Sequence, residues 1–216
     1  MSQNSQNLKL YSVQGNFRGV QIVIAAEIAK VQLELAYIKW DQLKSQEIIS
    51  KNSLGQIPFL ETPQGIITQT SACLRYIANI SNTLYGREVQ DKAEIDNWLD
   101  FIANNFNPVL MPILWKIWGF KGEISNETIQ QSRQALEKLC DYINNELKIR
   151  TYLVGNTLSI ADISLFCNLI YAQRCYLDES FRKKYNNLTR WFENIAQNPI
   201  FVKQFGQNRY SSKPWF

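Results

Sequence analysis

The segment TYLVGNTLSIADI, residues 151–163, constrains the fold of this chain more than any other. It sets Ser159 three residues before Asp162, with Leu158 ahead and an apolar run behind. That is a capping box of the S-x-x-D form. The Ser159 hydroxyl can accept from the backbone N–H near Asp162, and the Asp162 carboxylate can reach back to the N–H of Ser159. Two orphan donors are then satisfied where a helix begins. The stretch 160–176 is apolar nearly all round, the pattern of a helix buried in the middle of a bundle.

The second half of the chain supplies that bundle. Ile95, Trp98, Leu99, Ile102 and Phe106 fall at helical spacing and predict a helix over 88–118, with Pro108 and Pro112 bending or interrupting it. Ile129, Leu136, Leu139, Tyr142 and Ile143 predict another over 125–147, with Ser125 and Thr128 as a weaker cap signal. Residues 188–196 follow, then Asn198-Pro199 and a short helix over 200–205. The tail 206–216 is polar until Trp215 and Phe216, which need an apolar surface on this chain or on a partner.

The first part mixes strand and helix signals. Leu8, Leu10 and Ser12 alternate with Lys9, Tyr11 and Val13, which suits a strand over 8–13 buried on both faces. Gly15-Asn16 breaks it. Val20, Val23, Ile24 and Ile28 fit one helix over 18–29. A second strand is expected over 33–40, a short helix over 45–51, and a third strand over 59–61 after Pro58. Thr62-Pro63-Gln64-Gly65 reads as a turn, and Ile66-Ile67 begins the returning strand. Thr70 is the expected cap of a helix over 71–78. The order is β-α-β-α-β-β-α.

Composition removes several function classes. Hydrophobic residues make up 45% of the 216 and charged residues 19%, a globular balance. The net charge of +4 is modest and scattered, with Arg182, Lys183 and Lys184 its densest cluster, so no direct nucleic-acid surface is expected. No apolar run approaches the ~20 residues that cross a bilayer. The start, MSQNSQNLK, has neither a basic n-region nor an apolar h-region, so a cytoplasmic protein without membrane contact is the expectation. Histidine is absent, which excludes a Ser-His-Asp triad, a Cys-His pair and any histidine-ligated metal within the chain. Cys73, Cys140, Cys167 and Cys175 show no C-x-x-C or zinc spacing and read as buried reduced thiols.

The phrase around Ser159 and Asp162, with Leu153-Val154-Gly155 before it, resembles the folding motif that opens the core helix of glutathione-transferase-like proteins. Taken with Leu177-Asp178-Glu179-Ser180-Phe181-Arg182, Thr189-Arg190-Trp191-Phe192, Asn198-Pro199, Leu10-Tyr11-Ser12 and Asn16-Phe17-Arg18, it resembles one branch. That branch is the transferase-like N-terminal domain of the gamma subunit of eukaryotic translation elongation factor 1B. The resemblance implies a glutathione-transferase fold: an α/β thioredoxin-like N-terminal domain over 1–79, a linker over 80–88, and an all-α helical C-terminal domain over 89–216. Ile57-Pro58 sits where that fold carries a cis peptide bond; an X-Pro bond makes the cis form cheap, about 0.5–1 kcal/mol.

By the same resemblance, a glutathione site would use the backbone of Ile57, with Gln56 near the glycyl end and Gln69-Thr70 at the γ-glutamyl carboxylate. Read without the fold, Gln69 is a solvated turn residue and Thr70 merely an N-cap. Pro58, Ser159 and Asp162 are structural. Catalysis would need a hydroxyl or thiol near the end of the first strand, because the thiolate is the nucleophile. The stretch Val13-Gln14-Gly15-Asn16 has no Ser, Tyr or Cys. Ser12 is the catalytic candidate, falling early, and Gln14 or Asn16 can offer only an amide. Weak or absent conjugation is therefore expected.

Two functions follow. One is an interaction module in translation elongation that docks the nucleotide-exchange subunit, with aminoacyl-tRNA synthetases as further partners and no cofactor. The other is a cytoplasmic enzyme that takes glutathione as ligand or substrate and joins it to electrophiles. An appended domain of a synthetase complex, which shares the fold, is a minor third reading. The resemblance also implies a homodimer. The aromatic segment 115–120 is a candidate contact surface or, alternatively, ordinary core at a helix–helix junction.

Overall fold

The computed structural model describes residues 7–120 and 122–213; Trp215 and Phe216 lie outside them. The chain folds as two compact units, Met1–Tyr85 and Gly86–Phe216.

The first unit runs β1 (Leu8–Ser12), α1 (Phe17–Ala29), β2 (Leu33–Tyr37), a 3₁₀ turn (Trp40–Lys44), α2 (Gln46–Lys51), β3 (Phe59–Thr62), β4 (Gly65–Thr68) and α3 (Thr70–Ser81). The strands lie in the order β2-β1-β3-β4, with β1 parallel to β2 and antiparallel to β3, and β4 antiparallel to β3. Side chains alternate along β1. Leu8, Leu10 and Ser12 are buried on one face, while Tyr11 joins Phe59 and Ile48 of α2 in the apolar cluster on the other. Helices α1 and α3 pack together on the sheet.

Local chemistry sets these boundaries. Asn16 caps α1 by accepting from the N–H groups of Arg18 at 2.9 Å and Gly19 at 3.4 Å. Gly19 is required by contact: a Cβ there would collide with the Ser12 hydroxyl. Strand β2 is shorter than expected. Its continuation turns at Lys39, whose N–H donates to Gln42 Oε1 at 2.8 Å and starts the 3₁₀ turn.

The regular elements described in the second unit are all helical: α4 (Val89–Phe101), α5 (Asn107–Trp118), α6 (Asn126–Glu146), α7 (Ile160–Cys175), α8 (Glu179–Lys184), α9 (Asn186–Ala196) and α10 (Pro199–Phe205). The helix expected over 88–118 is interrupted ahead of Pro108. Residues Ile102–Phe106 form a π-helical segment, closed by the Asn107 N–H bonding to the Ile102 carbonyl. Pro108 has no N–H to return to residue 104, so the widened turn falls where the ordinary ladder would break.

Helix α7 is buried along nearly its whole length and packs on α4 and α5. Phe166 stacks on Phe192 of α9 at 4.5 Å and meets Phe201 of α10 edge-on at 4.9 Å. Asp162 is fully buried. Its Oδ2 accepts from the Ser159 N–H at 2.9 Å and the Ser159 hydroxyl at 2.7 Å. Its Oδ1 accepts from the Leu153 N–H at 2.9 Å and Trp191 Nε1 at 2.8 Å. The box thus closes chiefly from the Asp162 side, with the Ser159 hydroxyl donating to the carboxylate. One carboxylate ties the loop before α7, the start of α7, and α9. Burial pushes its pKa up, and the hydrogen bonds pull the other way.

Candidate functional site

Strand register brings the candidate residues of the first unit to one end of its sheet. Phe59 pairs with Tyr11 on one side and with Thr68 on the other. Both pairings are antiparallel, so the chain after β1, the chain before β3 and the chain after β4 leave from the same end. Residues 13–16, Gln56-Ile57-Pro58 and Gln69-Thr70 are therefore neighbours in the fold while lying far apart in sequence.

The middle segment is shaped by a residue that sequence reasoning missed. Asn52 is buried, and its Nδ2 donates to the Gln56 carbonyl at 2.7 Å. Its Oδ1 accepts from the Leu54 N–H at 3.3 Å, and its carbonyl from the Gly55 N–H at 2.8 Å. Gly55 takes φ +59° at the turn, with the Leu43 carbonyl 3.1 Å from where a Cβ would stand. The sequence signal is an Asx turn, Asn52-Ser53-Leu54-Gly55. With its carbonyl held, Gln56 remains exposed, Ile57 packs against the Tyr11–Phe59 cluster, and the Ile57–Pro58 bond is cis.

The third segment corrects one expectation. Thr70 is not the cap of α3 but its first residue; Gln69 holds the cap position, with φ 68° and ψ 127° and no side-chain cap bond. Strand β4 ends at Thr68 and α3 begins at Thr70, so one residue must redirect the chain. That demand places a non-glycine residue at positive φ, an uncommon and costly conformation. The Gln69 carbonyl accepts from the Cys73 N–H at 3.0 Å, while its side chain stays exposed. Helix α3 has no acidic residue in its first turn. The unpaired N–H groups at its start and the positive end of its dipole suit an anionic group such as a carboxylate.

The segment after β1 offers less. Ser12 is buried beside Gly19, and its hydroxyl donates to the Val13 carbonyl at 3.3 Å. The Asn16 side-chain oxygen is engaged as the α1 cap, which leaves its NH₂ group, and Gln14 is exposed. Tyr11 faces elsewhere. Its ring stacks on Phe59 at 4.6 Å, and its hydroxyl donates to Glu61 Oε2 at 2.8 Å. Lys51 bonds both Glu61 oxygens at 3.0 and 2.8 Å, and these hydrogen bonds hold the Glu61 carboxyl below its usual range.

All four cysteines are free and buried. Burial pushes the Cys73 thiol up to about 12 and raises the other three. Among the described residues, no group of His, Cys, Asp and Glu could hold a metal ion. No helix there is long and apolar enough to cross a membrane. Trp118 in the aromatic segment is half-buried and meets Tyr171 edge-on at 5.4 Å, whereas Phe120 is exposed.

Comparison with known proteins assigns the class. The glutathione S-transferase N-terminal domain family matches residues 6–79, and the C-terminal domain family matches residues 102–199. This chain belongs to the glutathione S-transferase family. Glutathione transferase F7 from Populus trichocarpa superposes with a TM-score of 0.83 at 21% identity, covering 94% of this chain and 100% of that one. Glutathione transferase URE2P6 from Phanerochaete chrysosporium, solved with oxidised glutathione, gives 0.83 at 18% identity, covering 96% and 98%. At such identities the likeness speaks for the fold alone.

Among curated proteins, elongation factor 1-gamma subunits are among the relatives. Elongation factor 1-gamma of Artemia salina is 31% identical over 187 residues, which is 85% of this chain and 43% of that protein. Elongation factor 1-gamma 3 of Oryza sativa subsp. japonica is 31% identical over 203 residues, 92% and 49% respectively. The chain spans about half the length of the curated relatives it matches.

Proposed function

We propose that this chain serves as the transferase-like module of an elongation factor 1-gamma subunit, a scaffold that docks the nucleotide-exchange subunit of elongation factor 1B during translation elongation. The observation that carries this reading is similarity to elongation factor 1-gamma across nearly the whole chain. The site gives further support. Residues 13–16 bring no hydroxyl or thiol to the converging strand ends, and Ser12 is packed under α1. A module that docks partners needs the fold and not the thiolate. The reading places the protein in the cytoplasm, as a homodimer, with aminoacyl-tRNA synthetases as a further class of partner.

The test is direct binding. The purified chain, mixed at micromolar concentration with the N-terminal region of the exchange subunit from the same organism, should co-elute as a stoichiometric complex in size exclusion with light scattering. Separate elution at every mixing ratio would overturn the proposal.

A second reading, glutathione conjugation, rests on the convergence of Gln56, Ile57, Gln69 and Thr70 at one end of the sheet. Those residues would hold glutathione, with the tripeptide backbone against Ile57 and a carboxylate at the start of α3. If the protein turns glutathione over, Thr70→Ala should raise its KM. An unchanged KM in an active protein would remove Thr70 from the site.

A further inference from the structure

Strand β2 lies at the edge of the sheet and pairs on one side only, with β1. The Ile38 N–H donates to the Ser12 carbonyl at 2.9 Å. Backbone groups of alternate residues point the same way along a strand, so Glu34 and Ala36 also turn theirs toward β1. Leu33, Leu35 and Tyr37 turn their N–H and C=O groups outward, and among the described residues no strand meets them. Their side chains share one face of the sheet. Leu35 is 39% exposed and Tyr37 53%.

An open edge of this kind is a template for another strand, and natural edges are blunted by proline, bulges or inward-pointing charge. None of these protects β2. Its register with β1 runs unbroken from Leu33 to Tyr37, and no proline interrupts it. Its one charged residue, Glu34, lies on the opposite face, held by Lys9 at 2.6 Å.

The sequence of β2 matches itself. Set a second copy antiparallel about a two-fold axis through Leu35. Leu35 then lies opposite its own copy, Leu33 opposite Tyr37, and Glu34 opposite Ala36. Every outward-facing residue meets another in a hydrogen-bonded pair, and each apolar side chain covers one from the other copy. Moving the axis to Glu34 puts two carboxylates directly opposite, which is unfavourable. Moving it to Ala36 sets Leu33 against Lys39, beyond the end of the strand. The Leu35 register uses the whole strand and sets no like charges directly opposite.

We propose that β2 is a self-association edge, through which two copies join their sheets antiparallel by Leu33, Leu35 and Tyr37. The inference rests on the homodimer reading above and gives that dimer its contact surface. A ladder of five residues is small beside the roughly 1,200–2,000 Å² of a stable interface, so association should depend on concentration in the micromolar range.

Cysteine placed on the axis tests the register. Opposite residues of a hydrogen-bonded antiparallel pair have Cα atoms ~5.5 Å apart, within the ~4.4–6.8 Å of a disulfide. In the full chain, Leu35→Cys should therefore form a reducible covalent dimer under mild oxidation. Tyr37→Cys should not, because its copies would stand ~13 Å apart along the ladder. The native cysteines are buried and stay out of the reaction. Leu35→Glu should weaken self-association about tenfold or more by light scattering, since it sets carboxylates face to face. In the unaltered chain, hydrogen exchange at the Leu35 and Tyr37 amides should slow as concentration rises, which decides the question even if a variant fails to fold. A dimer in scattering whose Leu35→Cys variant does not cross-link, or cross-links no better than Tyr37→Cys, would overturn this surface and leave the homodimer to another. A monomer at every concentration removes both. Protection of these amides only when the exchange subunit is added replaces the second copy with a foreign strand and likewise sinks the proposal.

Discussion

Replacing Asp162 by alanine should cost more stability than truncating any other polar side chain of α7. The carboxylate accepts four hydrogen bonds in a site without solvent exposure. The Ser159 hydroxyl can rotate toward another acceptor. The N–H groups of Leu153 and Ser159 and the indole N–H of Trp191 cannot, because the first two are backbone and Trp191 is itself fully buried. A buried donor left unpaired costs ~1–3 kcal/mol. Three of them set a floor of about 3 kcal/mol, and relief of carboxylate burial keeps the total near 3–5 kcal/mol. Since single domains hold roughly 5–15 kcal/mol, the second unit would lose a large part of its margin. The assay is urea unfolding followed by tryptophan fluorescence, read as a lower midpoint at unchanged slope. A loss under about 1 kcal/mol would refute the reasoning, because it would mean that the three donors find water or other partners at no cost.

The pH dependence of the same site has a definite sign. Burial raises the folded-state pKa of Asp162 above its unfolded value. The native state therefore holds its proton more readily than the unfolded chain. Stability from this group is fully present below the unfolded value, near 3.8, and declines as pH rises through the folded pKa. Asp162→Asn cannot titrate, so its stability relative to the parent should improve as pH rises across that window. A difference that stays flat with pH would remove the burial argument.

Glu61 behaves in the opposite sense. Lys51 and Tyr11 depress its folded pKa, so its contribution exists above the unfolded value and is lost as pH falls through the folded one. Because the pair is about one-third exposed, Glu61→Gln should cost under about 1 kcal/mol near neutrality and nothing in strong acid, as measured by urea unfolding at both pH values. Gln69→Gly should stabilise the first unit by about 1 kcal/mol, since glycine adopts the positive φ without strain; a lower midpoint would show that the conformation carries no cost. The cysteines should resist a thiol reagent in the native protein at mildly alkaline pH and react fully after unfolding, as burial holds Cys73 at about 12 and raises the others. Rapid native labelling would contradict their burial.

Part of the candidate site is legible in the sequence, and the misses share a cause. Ser159 and Asp162 are readable because a capping box is a local code: spacing, residue type and the apolar run occupy thirteen consecutive positions. Ser125 and Ser45 can be read as helix starts for the same reason, and both caps are present, with Ser125 accepting from Thr128 and Ser45 from Ile48. Thr70 departs from its expected role because propensity favours threonine over glutamine as a cap, while the one-residue passage from β4 to α3 imposes positive φ on Gln69. The interruption at Ile102–Phe106 is signalled by Pro108, but whether the chain bends, breaks or widens there depends on the neighbours that hold it.

By itself the sequence determined the alternation of strands and helices, the buried helix read over 160–176 and the exclusion of histidine chemistry. All of these depend on residue identity or short-range spacing. The tertiary structure alone decided which candidates meet. Antiparallel pairing of Phe59 with Tyr11 and Thr68 gathers residues 13–16, 56–58 and 69–70 at one end of the sheet, and the close approach of α1 through Gly19 seals Ser12 beneath it. The same holds for Trp191, which reaches Asp162 across twenty-nine residues. Contacts between segments distant in the chain arise from packing, and no local pattern of residues encodes them.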